Sequence, residues 1–216
     1  MDAMTLYTFF RSGTAQRVRI ALNLKGLKAE HVPVNLAIDA QLEPPYASVN
    51  PQKLVPTLDV GDLRLVQSPA ILEWLEEAHP EPPLLPADAA GRARVRALAA
   101  AVGCDIHPIN NRRILQYLRH EFGADEAAVQ AWCGRWIGDG FDAYEAWLAD
   151  DPQRGRFSHG DSPTLADVYL VPQVESARRF KVDMTRWPLI AAVDAACMAL
   201  PAFADAAPLR QPDAPQ

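Results

Sequence analysis

Cysteine is scarce, with only Cys104, Cys133 and Cys197 among 216 residues. Odd in number and far apart, they form no CxxC pair, no metal-ligand spacing and no disulfide framework, so buried thiols are the expectation. Basic charge is also short: 21 Lys and Arg stand against 27 Asp and Glu, a net charge of −6. That balance disfavours a surface that tracks nucleic-acid phosphates, and no nucleic-acid partner is expected. No stretch approaches the roughly 18 uncharged apolar residues of a membrane span. The start, Met1-Asp2-Ala3-Met4, has neither a basic n-region nor an apolar h-region. A cytoplasmic protein with no membrane association is therefore expected. With 49% hydrophobic and 22% charged residues, the composition excludes disorder as the main state. The length suits one large domain or two small ones with a sizeable core.

Proline, by contrast, is abundant: 19 are present where a usage of about 5% predicts about 11. Their positions divide the chain. Thr5 to Phe10 is a β-branched and aromatic run of strand length. Arg11-Ser12-Gly13-Thr14 is turn chemistry, after which Val18, Ala21, Leu22 and Lys25 follow helical spacing up to Gly26 as a stop. His31 to Leu36 alternates and predicts a second strand, completing a βαβ unit. Val55 to Val60, the turn Gly61-Asp62 and Leu63 to Gln67 predict a hairpin. Ser68 is then placed to cap a helix carrying Ile71, Leu72, Trp74 and Leu75. Pro80-Glu81-Pro82-Pro83-Leu84-Leu85-Pro86 cannot be a helix interior and reads as a linker. Beyond it the pattern is helical, with Val95, Leu98 and Val102 in register, and Val129, Trp132, Trp136, Ile137, Gly140 and Tyr144 at three-to-four spacing.

Four places carry chemistry, and each also has a plain structural reading. Val55-Pro56 is either an ordinary trans proline at a strand start or a cis proline that turns the Val55 backbone outward. Gln67-Ser68 is either a simple cap or a helix N-terminus that receives a carboxylate. Phe10-Arg11-Ser12-Gly13-Thr14-Ala15-Gln16-Arg17-Val18-Arg19-Ile20-Ala21-Leu22 holds two hydroxyls at the first turn of a helix. Cys104-Asp105-Ile106-His107-Pro108-Ile109-Asn110-Asn111-Arg112-Arg113 places His107 and Asn111 four apart, on one face of a helix that Pro108 would bend.

Taken together, these stretches resemble the glutathione transferases, and the Arg-Val-Arg-Ile-Ala-Leu run resembles the zeta class within them. The likeness extends to Val171-Pro172-Gln173-Val174-Glu175-Ser176-Ala177-Arg178-Arg179 and covers nearly the whole chain. It implies an α/β thioredoxin-like N-terminal domain over residues 1–82 and an all-α C-terminal domain over residues 88–216. It implies glutathione as cofactor, a cis Pro56, Val55 pairing with the cysteinyl backbone, and Gln67 and Ser68 at the γ-glutamyl carboxylate. Gln41, Gly13, His107, Asn111, Arg112 and Arg113 are implied as further glutathione or substrate contacts. Here the loop departs from the class: Gly13 and Thr14 stand where a second serine and a cysteine are usual. No protein thiol is then available, and the nucleophilic sulfur falls to glutathione. Ser12 or Thr14 supplies the hydroxyl that lowers the thiol pKa from about 8.5 toward neutrality.

The class contains maleylacetoacetate and maleylpyruvate isomerases of aromatic-acid breakdown. The implied reaction adds glutathione thiolate to the cis double bond of a maleyl keto acid, allows rotation, and expels thiolate to leave the fumaryl isomer. Arg11, Arg113 and Arg179 suit the dicarboxylate, because guanidinium binds carboxylates bidentately. The choice between the two keto acids stays open. So do a general glutathione transferase or dehalogenase acting on small electrophilic acids, and a non-catalytic protein-binding module of the same fold. A homodimer is implied by the resemblance alone.

Overall fold

The computed structural model describes residues 3–215. It divides into two compact units: one runs to Pro83 and takes back the chain from Ala199 onward, and the other is Leu84–Met198.

In the first unit, β1 (Met4–Thr8) leads into α1 (Gly13–Leu24) and then β2 (Glu30–Pro33). The short α2 (Pro44–Ala47) precedes β3 (Thr57–Val60), β4 (Leu63–Val66) and α3 (Ser68–Ala78). The sheet order is β2-β1-β3-β4, with β1 parallel to β2 and antiparallel to β3, and β3 antiparallel to β4. The second strand is shorter than the alternation predicted. It ends at Pro33, and Asn35 then accepts the Ala37 N–H at 2.9 Å to start a 3-10 turn over Leu36–Ile38. A side chain that caps locally competes with strand pairing. Every residue from Ala15 to Leu22 is buried, so α1 is covered all round rather than amphipathic.

In the second unit, Asp88 caps α4 (Ala89–Ala100) by accepting the Gly91 N–H at 2.8 Å. The helix then widens into a π turn over Ala101–Ile106 and tightens into a 3-10 turn over Pro108–Asn110 before α5 (Arg112–Phe122). Proline has no N–H to continue an α-helical ladder, so the expected bend is a break. Next come α6 (Glu126–Asp150), α7 (Leu165–Arg179) and α8 (Pro188–Met198). On α6 the buried stripe is Val129, Cys133, Ile137, Phe141, Tyr144 and Leu148. Trp132 and Trp136 lie beside that stripe, and Trp132 points its indole N–H to the Ile109 carbonyl at 3.0 Å. Asp167 at the start of α7 is fully buried and accepts the Ser158 N–H at 2.9 Å and the Thr164 N–H at 2.8 Å. Thr164 and Asp167 thus form a capping box at the start of α7.

The last segment, expected in the helical domain, packs instead with the first unit. There α9 (Pro201–Ala204) lies against α1, where the Asn23 amide donates to the Ala202 carbonyl at 2.9 Å. Two of the three cysteines are buried as expected; Cys104 is exposed.

Candidate active site

Ser12 is the N-cap of α1: its backbone is extended (φ −75, ψ 115) and its Oγ accepts the Ala15 N–H at 3.3 Å. Thr14 lies one residue inside the helix, and its hydroxyl donates to the Val55 carbonyl at 2.9 Å. The two hydroxyl oxygens are 3.0 Å apart. A hydroxyl has one proton. With that of Thr14 given to Val55, the proton shared between the pair belongs to Ser12. The fold thus brings Ser12, Thr14 and Val55 together across 41 residues of sequence.

The loop before Val55 is rigidly held. Tyr46 Oη donates to the Leu54 carbonyl at 2.6 Å and lies 2.9 Å from Thr57 Oγ1. Asn50 adds an amide bond to the same carbonyl at 2.8 Å. Burial pushes the Tyr46 phenol above its ordinary pKa, so it remains a donor. The Val55-Pro56 peptide is cis. Gln41 is buried and its amide donates to Asp39 Oδ1 at 2.9 Å, while its carbonyl oxygen has no hydrogen-bond partner.

At the start of α3 the cap is Gln67, not Ser68. Gln67 adopts φ +70, which is costly for a residue with a Cβ, and strain of this kind collects at ligand sites. Its amide donates to Gln52 Oε1. Ser68 is the first helical residue and buried, with its hydroxyl 3.5 Å from Arg17 Nη1. Ser68, expected as the cap, lies inside the helix, and Gln67 holds the cap position without a side-chain cap bond.

Arg17 and Arg19 have no expected role, yet both are 2% exposed. Arg19 bonds to Thr8 Oγ1 at 2.9 Å and to the Phe10 carbonyl at 2.9 Å. Burial lowers its pKa to about 10, which leaves it charged at neutral pH. The only sequence signal was a pair of arginines flanking Val18 in a helix whose neighbours are apolar. Arg11 is exposed, its guanidinium 5.8 Å from the Phe10 ring centre.

The remaining expected residues belong to the helical unit. His107 ends the π turn, and Asn111 is the N-cap of α5, accepting the Arg113 N–H at 3.1 Å. The two do not share a helical face, because the turn at Pro108 separates them and Asn111 has extended backbone. Arg112 bonds to Gln116 Oε1 at 2.8 Å, and Arg113 is exposed in the first turn of α5. Arg179 ends α7, exposed, donating to Ser176 Oγ at 3.1 Å and stacking on Phe180 at 5.0 Å. Its charge acts on the buried Cys133 thiol, which burial nonetheless raises to about 11, so that thiol is inert. A cavity of about 480 Å³ in this unit, lined by Arg94, Leu98, Trp147 and Asp151, includes none of the expected site residues. Among the described residues no cluster could hold a metal ion.

Residues 6–83 match the family model for the glutathione S-transferase N-terminal domain. A maleylpyruvate isomerase from Ralstonia sp is 68% identical over 97% of this chain and 99% of its own. A solved holo structure of a maleylpyruvate isomerase, described as a bacterial zeta-class glutathione S-transferase, superposes with a TM-score of 0.97 at 67% identity, covering 98% of this chain and all of that one. The maleylacetoacetate isomerase of Anaeromyxobacter dehalogenans, solved with glutathione in its active site, is 47% identical with a TM-score of 0.89, each chain covered in full. The chain therefore belongs to the zeta class of the glutathione S-transferases, the family of the maleylpyruvate and maleylacetoacetate isomerases.

Proposed function

We propose that the protein is a glutathione-dependent cis-trans isomerase that converts a maleyl keto acid to its fumaryl isomer, with maleylpyruvate preferred over maleylacetoacetate. The observation that carries this reading is the Ser12–Thr14–Val55 arrangement, in a chain 68% identical to a maleylpyruvate isomerase over nearly its whole length. The unit that runs to Pro83 is the glutathione-binding domain in this reading.

The residues present fit that cofactor. The buried, unpartnered carbonyl oxygen of Gln41 is an acceptor suited to a peptide N–H of glutathione. The N-terminus of α3 at Ser68, an 11-residue helix, offers backbone N–H groups and a partial positive charge to a carboxylate. Gln67 directly precedes it, and Val55 and Gly13, the first residue of α1, are further glutathione contacts in this reading. Glutathione, when bound, supplies the thiolate that adds to and later leaves the double bond. Ser12 redirects its one mobile proton from Thr14 Oγ1 to that sulfur. Thr14 holds the Val55 carbonyl. Arg11, Arg113 and Arg179 take the substrate carboxylates, with His107, Asn111 and Arg112 as further polar contacts. With this reading go a role in aromatic-acid catabolism, a homodimer and a cytoplasmic location.

The test is direct. Purified protein with glutathione accelerates the loss of the cis-enol absorbance of maleylpyruvate, and kcat/KM on maleylpyruvate exceeds that on maleylacetoacetate. Absence of any glutathione-dependent acceleration on either acid overturns the isomerase reading, and the reverse ratio overturns the preference.

A further inference from the structure

The backbone just ahead of Ser12 is held by Arg19 of α1 and by Asp213 from the far end of the chain. The Phe10 N–H donates to Asp213 Oδ2 at 2.8 Å, across 203 residues. The Phe10 carbonyl accepts from Arg19 Nη2 at 2.9 Å, and the Phe9 carbonyl accepts from Arg19 Nη1 at 3.3 Å. The same guanidinium reaches the Ala206 carbonyl through Nε at 3.3 Å and Nη2 at 3.2 Å. The Ser12 N–H in turn closes a turn onto the Phe9 carbonyl at 3.0 Å. Both polar backbone groups of Phe10, and the carbonyl on which the Ser12 turn closes, thus depend on Arg19 and Asp213.

We propose that Arg19 and Asp213 are positioning residues for Ser12, and that the C-terminal segment around Ala206 and Asp213 is a working part of the thiol-activating loop. The inference rests on Ser12 as the thiolate donor. The physical reason is reach: a hydroxyl stabilises a thiolate only within hydrogen-bond distance, and a displacement of about 1 Å at a reacting centre is costly. Arg19, being 2% exposed, cannot be replaced by water at those carbonyls. His31 on β2 faces the same pair: burial first, then Arg19, lowers its pKa, and Asp213 raises it.

Asp213 is only half-buried, so its variants are expected to fold. In Asp213→Ala the Phe10 N–H loses its acceptor. The acid limb of the kcat/KM pH profile then moves up by about 0.5–1 unit, and kcat/KM on maleylpyruvate at pH 7 falls about three- to tenfold. Asp213→Asn keeps an oxygen for the Phe10 N–H and restores most of the profile. In both variants the His31 pKa, followed by NMR, drops below the wild-type value, because the carboxylate charge is gone. An Asp213→Ala protein with wild-type pH profile and kcat/KM overturns the inference, whatever its melting temperature. If wild-type protein fails to lower the pKa of bound glutathione, the reading of Ser12 falls first and takes this inference with it.

Discussion

Replacing Ser12 and Thr14 one at a time separates the two hydroxyls. In the structure the Thr14 proton is given to the Val55 carbonyl at 2.9 Å, while the Ser12 proton is given only to Thr14 Oγ1 at 3.0 Å. When a thiolate arrives, Ser12 exchanges a neutral acceptor for a charged one, and hydrogen bonds to charged groups contribute about 1.5–3 kcal/mol. At 1.36 kcal/mol per pKa unit, Ser12→Ala raises the bound thiol pKa by about 1–2 units. The same energy, taken from the transition state, lowers kcat/KM about 10- to 150-fold. Thr14→Val preserves shape and removes a neutral bond worth about 0.5–1.5 kcal/mol, mostly as stability. Because it leaves the Ser12 proton without a competing acceptor, kcat/KM changes by less than about threefold. The assay is the glutathione-dependent loss of maleylpyruvate enol absorbance from about pH 5 to 9, with thermal melts of each variant as the folding control. If Thr14→Val raises the thiol pKa as much as Ser12→Ala does, or if Ser12→Ala leaves the pH profile in place, the proton assignment is wrong.

Two further predictions concern stability. Lys25 Nζ, buried, donates to Glu76 Oε2 at 2.9 Å, the His79 carbonyl at 2.7 Å and the Pro82 carbonyl at 2.9 Å, so Lys25→Met breaks a buried ion pair and strips two carbonyls. The expected loss is about 3–5 kcal/mol, seen as a lower urea midpoint at unchanged m; a loss below about 1 kcal/mol would show that water replaces the ammonium. Asp88, whose carboxylate accepts the Gly91 N–H, is held below the usual carboxylate pKa by that bond. A depressed folded-state pKa means its stabilisation is present above the unfolded value of about 3.9 and is lost as pH falls through the folded one. Asp88→Ala should therefore melt lower than wild type at pH 7, with the gap closing below about pH 4; an equal gap at pH 3 and pH 7 contradicts the assignment.

The order of elements was legible because its signals are local. Strand-like Thr5 to Phe10, the stop at Gly26, the Gly61-Asp62 turn and the prolines from Pro80 to Pro86 each act within a few residues. The Ser12 loop was legible as two hydroxyls at a helix start, though not which one carries the mobile proton. That depended on the Val55 carbonyl, 41 residues away.

Elsewhere local reasoning failed for identifiable causes. The i, i+4 spacing of His107 and Asn111 counts as one face only on a continuous helix, and Pro108 ends that helix. The Trp132 and Trp136 positions fit the period but sit beside the buried stripe, since aromatic rings at a boundary satisfy the same spacing. Gln67, with a left-handed φ of +70, takes the cap position one residue before the expected Ser68, a backbone choice that local sequence does not signal.

Composition, periodicity and turn chemistry by themselves determined a βαβ unit, a hairpin, a proline-rich linker and a helical remainder, because backbone preference and amphipathic spacing are short-range properties. Only the tertiary structure decided that Arg19 is buried under the Ser12 loop and that Asp213 returns to hold Phe10. A buried guanidinium or a distant carboxylate is selected by the unpaired backbone groups it satisfies, and those exist as a set only after the chain has folded.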